Sequence, residues 1–183
     1  EKPFGGDGTL SHQALISRIN VELANDLGNL AQRSLSLIAR NCDGRLPGRG
    51  VATADDAELL AMADALPGGV RERIERQIFH EALEEVWKVV RAANGYIDRQ
   101  APWALRRTDT ARMGEVLRVL ADIQRVIATV LQPFMPDSMA RMLDQLGVPA
   151  TARTLTDLAM PLPDGTTLPA PQGVFPRYVE PAA

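Results

Sequence analysis

Aromatic residues make up only 4% of the 183-residue chain, and cysteine occurs once, at Cys42. With so few rings, the core has to come from Leu, Ile, Val, Ala and Met, a mixture that suits packed helices better than a sheet. The single thiol excludes an internal disulfide and a cysteine-based zinc site. His12 and His80 are too far apart in sequence to suggest a metal centre and read as surface or packing residues. No apolar run is long enough to cross a bilayer, and no basic-then-apolar leader opens the chain. Together these absences predict a soluble, cytoplasmic setting with no membrane partner. Catalytic signatures are missing too. There is no glycine-rich phosphate loop and no nucleophile elbow. Neighbouring carboxylates such as Glu84 and Glu85 would point to different sides of a helix and cannot act together.

What is present is a globular composition, 45% apolar, in a length suited to one domain with a real core. The formal charge of −3 argues mildly against a general phosphate binder. Its distribution matters more. Arg33, Arg40, Arg45 and Arg49 form one basic group, and Arg99, Arg106, Arg107 and Arg112 a second. Acids gather elsewhere, at Asp55, Asp56, Glu58, Asp64, Glu81, Glu84 and Glu85. A fold that joins the two arginine groups would create a basic face despite the net sign. The chain opens on Glu1-Lys2-Pro3 rather than Met, which predicts that it was cut from a longer polypeptide.

The pattern predicts an all-α protein, an antiparallel helix bundle with an irregular, proline-rich C-terminal tail. Residues 1–10 read as a linker, 11–147 as the helical domain and 148–183 as the tail. Ser11 caps a first amphipathic helix that runs to Arg40, with Leu15, Ile16, Ile19, Leu23, Leu27, Leu30, Leu35 and Ile38 on its apolar side. Gly28 within it costs about 1 kcal/mol against Ala and calls for close backbone packing. After a loop over 41–50, Thr53 caps a helix that Pro67-Gly68-Gly69 should break, with a restart at Val70. A further helix spans Ile78 to Asp98, with Trp87 in its apolar period. Ala101-Pro102-Trp103 reads as a short non-helical stretch. Two more helices cover Thr110–Leu131 and Ser138–Leu146. The tail must run over the surface or pack back on the bundle, with a short strand or hairpin possible.

Two features carry chemistry. Asn25, Asn29 and Arg33 fall at i, i+4 and i+8, one polar stripe between apolar rows. It sets amides, which donate and accept, beside a guanidinium with its fork of donors. Such a stripe suits the edges of an unpaired base, or it simply meets solvent and caps neighbours. Trp103, held behind Pro102, is either a stacking platform for a base or a plug at one end of the bundle.

The run Asn25-Asp26-Leu27-Gly28-Asn29-Leu30-Ala31-Gln32-Arg33 resembles the first anticodon-domain helix of bacterial methionyl-tRNA synthetases. So do Asn94-Gly95-Tyr96-Ile97-Asp98-Arg99-Gln100-Ala101-Pro102-Trp103 and Leu131-Gln132-Pro133-Phe134-Met135-Pro136. Pro3-Phe4-Gly5-Gly6-Asp7-Gly8 and Phe175-Pro176-Arg177 resemble the family's entry into this domain and its end in short, non-dimerising forms. The resemblance implies a helical bundle that reads the CAU anticodon loop of tRNA(Met). It implies that Trp103 stacks on an anticodon base, that Asn29 and Arg33 read the first anticodon base, that Pro102 holds the tryptophan and that Asn25 extends the stripe. Trp103 should then lie within side-chain reach of Asn29 and Arg33. Neither nucleotide-binding signature of class I synthetases is in the chain, so the fragment needs no cofactor. ATP with magnesium, and methionine, belong to the parent ligase, whose catalytic domain would be a partner in the same polypeptide. A monomer is expected. Two rivals remain: the anticodon domain of a sister class I enzyme, for cysteine, valine or leucine, and a helical protein-interaction domain with no RNA role.

Overall fold

The computed structural model describes residues 11–179. Ser11 caps the first helix as its sequence predicts, its Oγ accepting from the Ala14 N–H at 3.3 Å. The helix is one continuous rod but not of one pitch. α1 (His12–Arg18) passes into a π-helical segment (Ile19–Gly28) and then into α2 (Asn29–Asn41). The π register lengthens the hydrogen bonds by one residue, so the Asn29 N–H reaches back to the Ala24 carbonyl. The expected apolar face fails at its start. α1 buries nothing and Leu15 is half exposed; the core begins at Leu27. Gly28 does have the close neighbour its position implies. A Cβ there would lie 2.9 Å from the Leu23 carbonyl oxygen and 3.5 Å from Phe175.

α3 (Ala54–Glu75) starts with a reciprocal capping box between Thr53 and Asp56. It runs unbroken through Pro67-Gly68-Gly69, contrary to the break read from those residues. Pro67 forfeits one backbone bond, but Leu66 and Val70 on either side are both buried. Burying one continuous face along α4 (Phe79–Gln100) and α6 (Thr110–Leu131) outweighs the local preference. α4 ends at Ala101, whose φ of 44° is left-handed. The stretch read as non-helical is a single turn, α5 (Pro102–Leu105), because a proline with fixed φ is well suited to the first helical position. Pro136 likewise opens α7 (Pro136–Gln145) rather than only interrupting the chain.

α6 is the axis of the bundle, buried on most of its circumference and packed by α2, α3, α4, α5 and α7. A buried polar link joins it to α2, where Gln124 Nε2 donates to Ser34 Oγ at 2.7 Å. The tail packs back on the bundle. Its 165–168 segment pairs with Gly44 to Leu46 through a single antiparallel bridge, Arg45 to Thr167. Much of the rest hangs on arginines. Arg118, 1% exposed, donates to the carbonyls of Pro47 and Leu162, and Arg125 to those of Met160 and Asp157.

One charged cluster ties the ends of three helices together. Asp56, 1% exposed, accepts from Tyr96 Oη at 2.5 Å and from Arg112 Nη1 and Nη2 at 2.6 and 2.7 Å. Burial alone would raise the Asp56 carboxyl. The hydrogen bonds from Arg112, Tyr96 and the Thr53 backbone outweigh it and hold the group well below the ordinary carboxylate range. Burial and the same carboxylate push the Tyr96 phenol up.

A carboxyl depressed by folding stabilises the protein above its unfolded pKa, and that contribution fades as the pH falls through the folded one. Asp56→Asn should therefore lower stability by about 2 kcal/mol at neutral pH, because a neutral amide cannot replace the charge-assisted bonds from Arg112 and Tyr96. Urea midpoints should show the gap between variant and parent narrowing as the pH drops below about 4. A pH-independent gap would contradict the charge argument.

Candidate nucleic-acid interface

Of the expected stripe, Arg33 meets Trp103 at one end of the bundle, whereas Asn29 lines a separate groove. α4 delivers Asp98 to the surface, Ala101 turns the chain in the left-handed region, and buried Pro102 begins the turn that presents Trp103. The indole is 41% exposed, too open to be a plug for the bundle. Across from it α2 presents Arg33, whose guanidinium carbon stands 5.1 Å from the indole centroid. Arg33 Nη2 also donates to Asp98 Oδ1 at 2.6 Å. The guanidinium is thereby held between a carboxylate and an aromatic face, a cation–π contact worth about 0.5–1 kcal/mol at such an exposed place. Gln32, Ser36, Leu37 and Arg40 complete this groove.

A second groove lies further along the same helix. Asn25, Gly28, Asn29 and Gln32 form one wall and Phe175 with Arg177, from the tail, the other. Asn29 is exposed here, while Gln32 belongs to both grooves and joins them. The predicted stripe thus splits. Asn29 and Arg33 share α2 one turn apart, but Asn25 sits in the π-helical segment, where the register differs. Asn25 is not free either, since its Oδ1 accepts from Arg177 Nη2 at 2.6 Å. Asn20 fixes the next residue by exchanging hydrogen bonds with the Tyr178 backbone.

The two arginine groups do not merge into one basic face. Arg49 pairs with Asp122, Arg99 with Asp55 and Arg112 with Asp56. Arg40, Arg106 and Arg107 are exposed and make no ion pair among the described residues. Arg33 and Arg40 line the groove with Trp103, and Arg45, Arg71 and Arg177 are likewise exposed without an ion pair among the described residues. A larger cleft at Arg49, Asp122, Arg125 and Pro161 is different in kind, because its cations are occupied with Asp122, Asp164 and tail carbonyls. No group of three or more His, Cys, Asp or Glu side chains among the described residues is placed to hold a metal ion. Sequence reasoning passed over Gln32 and Asp98. Both lie inside the runs that carry the family resemblance, Gln32 one turn after Asn29 and Asp98 five residues before Trp103.

Comparison with known proteins places the chain among the aminoacyl-tRNA ligases. Residues 46–181 match the family model described as the anticodon binding domain of methionyl tRNA ligase. The methionine–tRNA ligase of Brucella suis biovar 1 (strain 1330) is 52% identical over 181 residues, covering 98% of this chain and 35% of the relative. That of Mycobacterium tuberculosis (strain ATCC 25618 / H37Rv) is 46% identical over 185 residues, covering 99% of this chain and 36% of the relative. Among solved structures, apo Mycobacterium tuberculosis methionyl-tRNA synthetase superposes with a TM-score of 0.97 at 45% identity, over 99% of this chain and 37% of that one. The chain therefore belongs to the methionyl-tRNA ligase anticodon-binding domain family. It spans about a third of the length of the curated relatives it matches.

The contrast between the two tryptophans gives a direct check of the groove, since Trp87 is 7% exposed and Trp103 41%. Acrylamide should quench most of the accessible fluorescence from Trp103 and little from Trp87. Trp103→Phe should leave a quench-resistant spectrum and Trp87→Phe a quenchable one. The reverse assignment would remove Trp103 from the surface.

Proposed function

We propose that this chain is the anticodon-reading part of a methionine–tRNA ligase, and that it holds the anticodon loop of tRNA(Met) at the Arg33–Trp103 groove. The observation that carries this reading is the pairing of an exposed indole with a guanidinium fixed by Asp98. An aromatic face accepts an unpaired base by stacking, and amides and guanidinium beside it read the base edge. In this scheme Trp103 stacks on an anticodon base and buried Pro102 keeps the indole in place. Asn29 and Arg33 read the cytosine at the first anticodon position. Asn25, held by Arg177, supports the adjoining wall. Arg40, Arg106 and Arg107 supply local attraction for the backbone phosphates without making the domain basic overall.

The whole ligase would attach methionine to tRNA at the cost of ATP with magnesium, in the cytoplasm. Its nucleotide chemistry would lie in the catalytic domain of the same polypeptide, and the assembly would be monomeric. No helix of the described residues is long and apolar enough to cross a membrane. The division of labour has a geometric reason. Anticodon and acceptor end are far apart on tRNA, so identity and chemistry need separate contacts.

Two measurements test this. Trp103→Ala should weaken binding of an anticodon stem-loop by roughly 1–3 kcal/mol. Arg33→Ala and Asn29→Ala should cost a similar amount and lower the preference for cytosine at the first position. Arg71→Ala, on the exposed side of α3, should act only through salt-dependent attraction. Unchanged affinity in all three groove variants would end the assignment. Separately, the 183-residue chain should fail to exchange pyrophosphate into ATP with methionine present, as neither nucleotide-binding signature is in its sequence. Robust exchange would overturn the division of labour.

A further inference from the structure

Gln32 is the one side chain common to both grooves. Its amide is only half used. Nε2 donates to Ser36 Oγ at 3.1 Å, whereas Oε1 is buried and has no hydrogen-bond partner. A buried acceptor without a donor is unfavourable and uncommon in folded proteins. Here it sits on the helix that carries Asn29 and Arg33, next in the chain to the residue that faces the indole. The bond to Ser36 limits how the amide can turn, and its place in both walls puts it within reach of a base entering either groove. The terminal torsion of glutamine is broad, so the oxygen can turn part of the way to the groove surface while Nε2 stays on Ser36.

The donors available nearby do not serve this oxygen. Arg33 is held by Asp98 and Trp103, and Arg177 by Asn25. Arg40 and Asn29 line the same grooves but make no bond to it, so a donor from a bound molecule would complete it. In a groove suited to unpaired bases, a matching group is the exocyclic amine of cytosine or adenine; uracil and guanine present ring N–H donors, so dependence on the amine is what sets cytosine and adenine apart.

We propose that Gln32 is a specificity-determining residue whose Oε1 accepts a hydrogen bond from the exocyclic amine of one unpaired cytosine or adenine in the bound loop. The inference rests on the anticodon reading above and deepens it. Ser36 takes part as the residue that sets which end of the amide faces the base.

The test is equilibrium binding of the chain to stem-loops in which each unpaired cytosine or adenine is replaced in turn by its amine-free counterpart, 2-pyrimidinone or purine. Gln32→Met keeps the size and removes the acceptor. It should weaken binding of the unmodified loop about fivefold to tenfold, the range of one neutral hydrogen bond. It should cause no further loss on the one loop that lacks the contacted amine. A purely structural role would weaken every loop alike, and that result, like no loss at all, would overturn the proposal. Should Gln32→Met unfold, Gln32→Glu keeps the oxygen. It should retain the parent's preference for the amine at that position while binding more weakly overall through repulsion. Loss of the preference would count against the proposal. Failure of the parent chain to bind any stem-loop would instead remove the anticodon reading itself, so the two failures are distinguishable.

Discussion

An irregular segment packed on a protein must find partners for backbone groups that no helix or sheet serves. Here that need is met largely by guanidinium groups rising from α6. Arg118 places its donors on Asp122, Asp164 and the carbonyls of Pro47 and Leu162. Arg125, also on α6, does the same for the carbonyls of Asp157 and Met160, while Arg153 within the tail serves those of Ala140 and Val148 where α7 gives way to it. The planar fork suits this task better than an ammonium would, because it spans two acceptors at once and stays charged when buried. The course of the tail follows from these anchors, and the far wall of the second groove, Phe175 and Arg177, follows from the course of the tail.

The Trp103 side of the first groove is set by the buried Asp56 cluster. Arg112 reaches from Asp56 to Gln100 Oε1 at 2.9 Å, and Gln100 Nε2 returns to Asp55 at 3.1 Å. These bonds secure the last residue of α4, directly before the left-handed Ala101. A non-glycine residue in that conformation is tolerated where its surroundings over-determine it. The strained corner and the charge cluster belong together. One gives Trp103 its direction and the other holds the corner in place. The buried charge and the exposed indole are thus connected by a few residues at one helix end.

Much of this was legible in the sequence, and the exceptions share a cause. Helical period, caps at Ser11 and Thr53, and the apolar faces of α4 and α6 are local signals and appear where they were read. The meeting of Arg33 with Trp103 was legible through the family resemblance. Pro67-Gly68-Gly69 misled because its local preference is overridden by α4 and α6, which the sequence does not place beside it. α1 misled in the opposite way, since an apolar period says nothing about whether a neighbour is present to cover it. Asn25 was read as part of a uniform stripe because π pitch leaves no pattern of its own. Asp98 and Gln32 look like ordinary polar positions until the fold sets one against Arg33 and the other between two grooves.

The π-helical segment has a consequence for how such a chain can change over generations. Were the segment Ile19–Gly28 to take ordinary α pitch with no residue removed, everything before it would swing around the axis by about 100° for each residue the wider turns now absorb. Asn20 and Asn25 would turn away from the tail, leaving Tyr178 and Arg177 without their partners. The core beyond Leu27 would hardly notice. The wider pitch and the end of the tail are therefore inherited as a matched pair, and a lineage that lost one would be released from keeping the other.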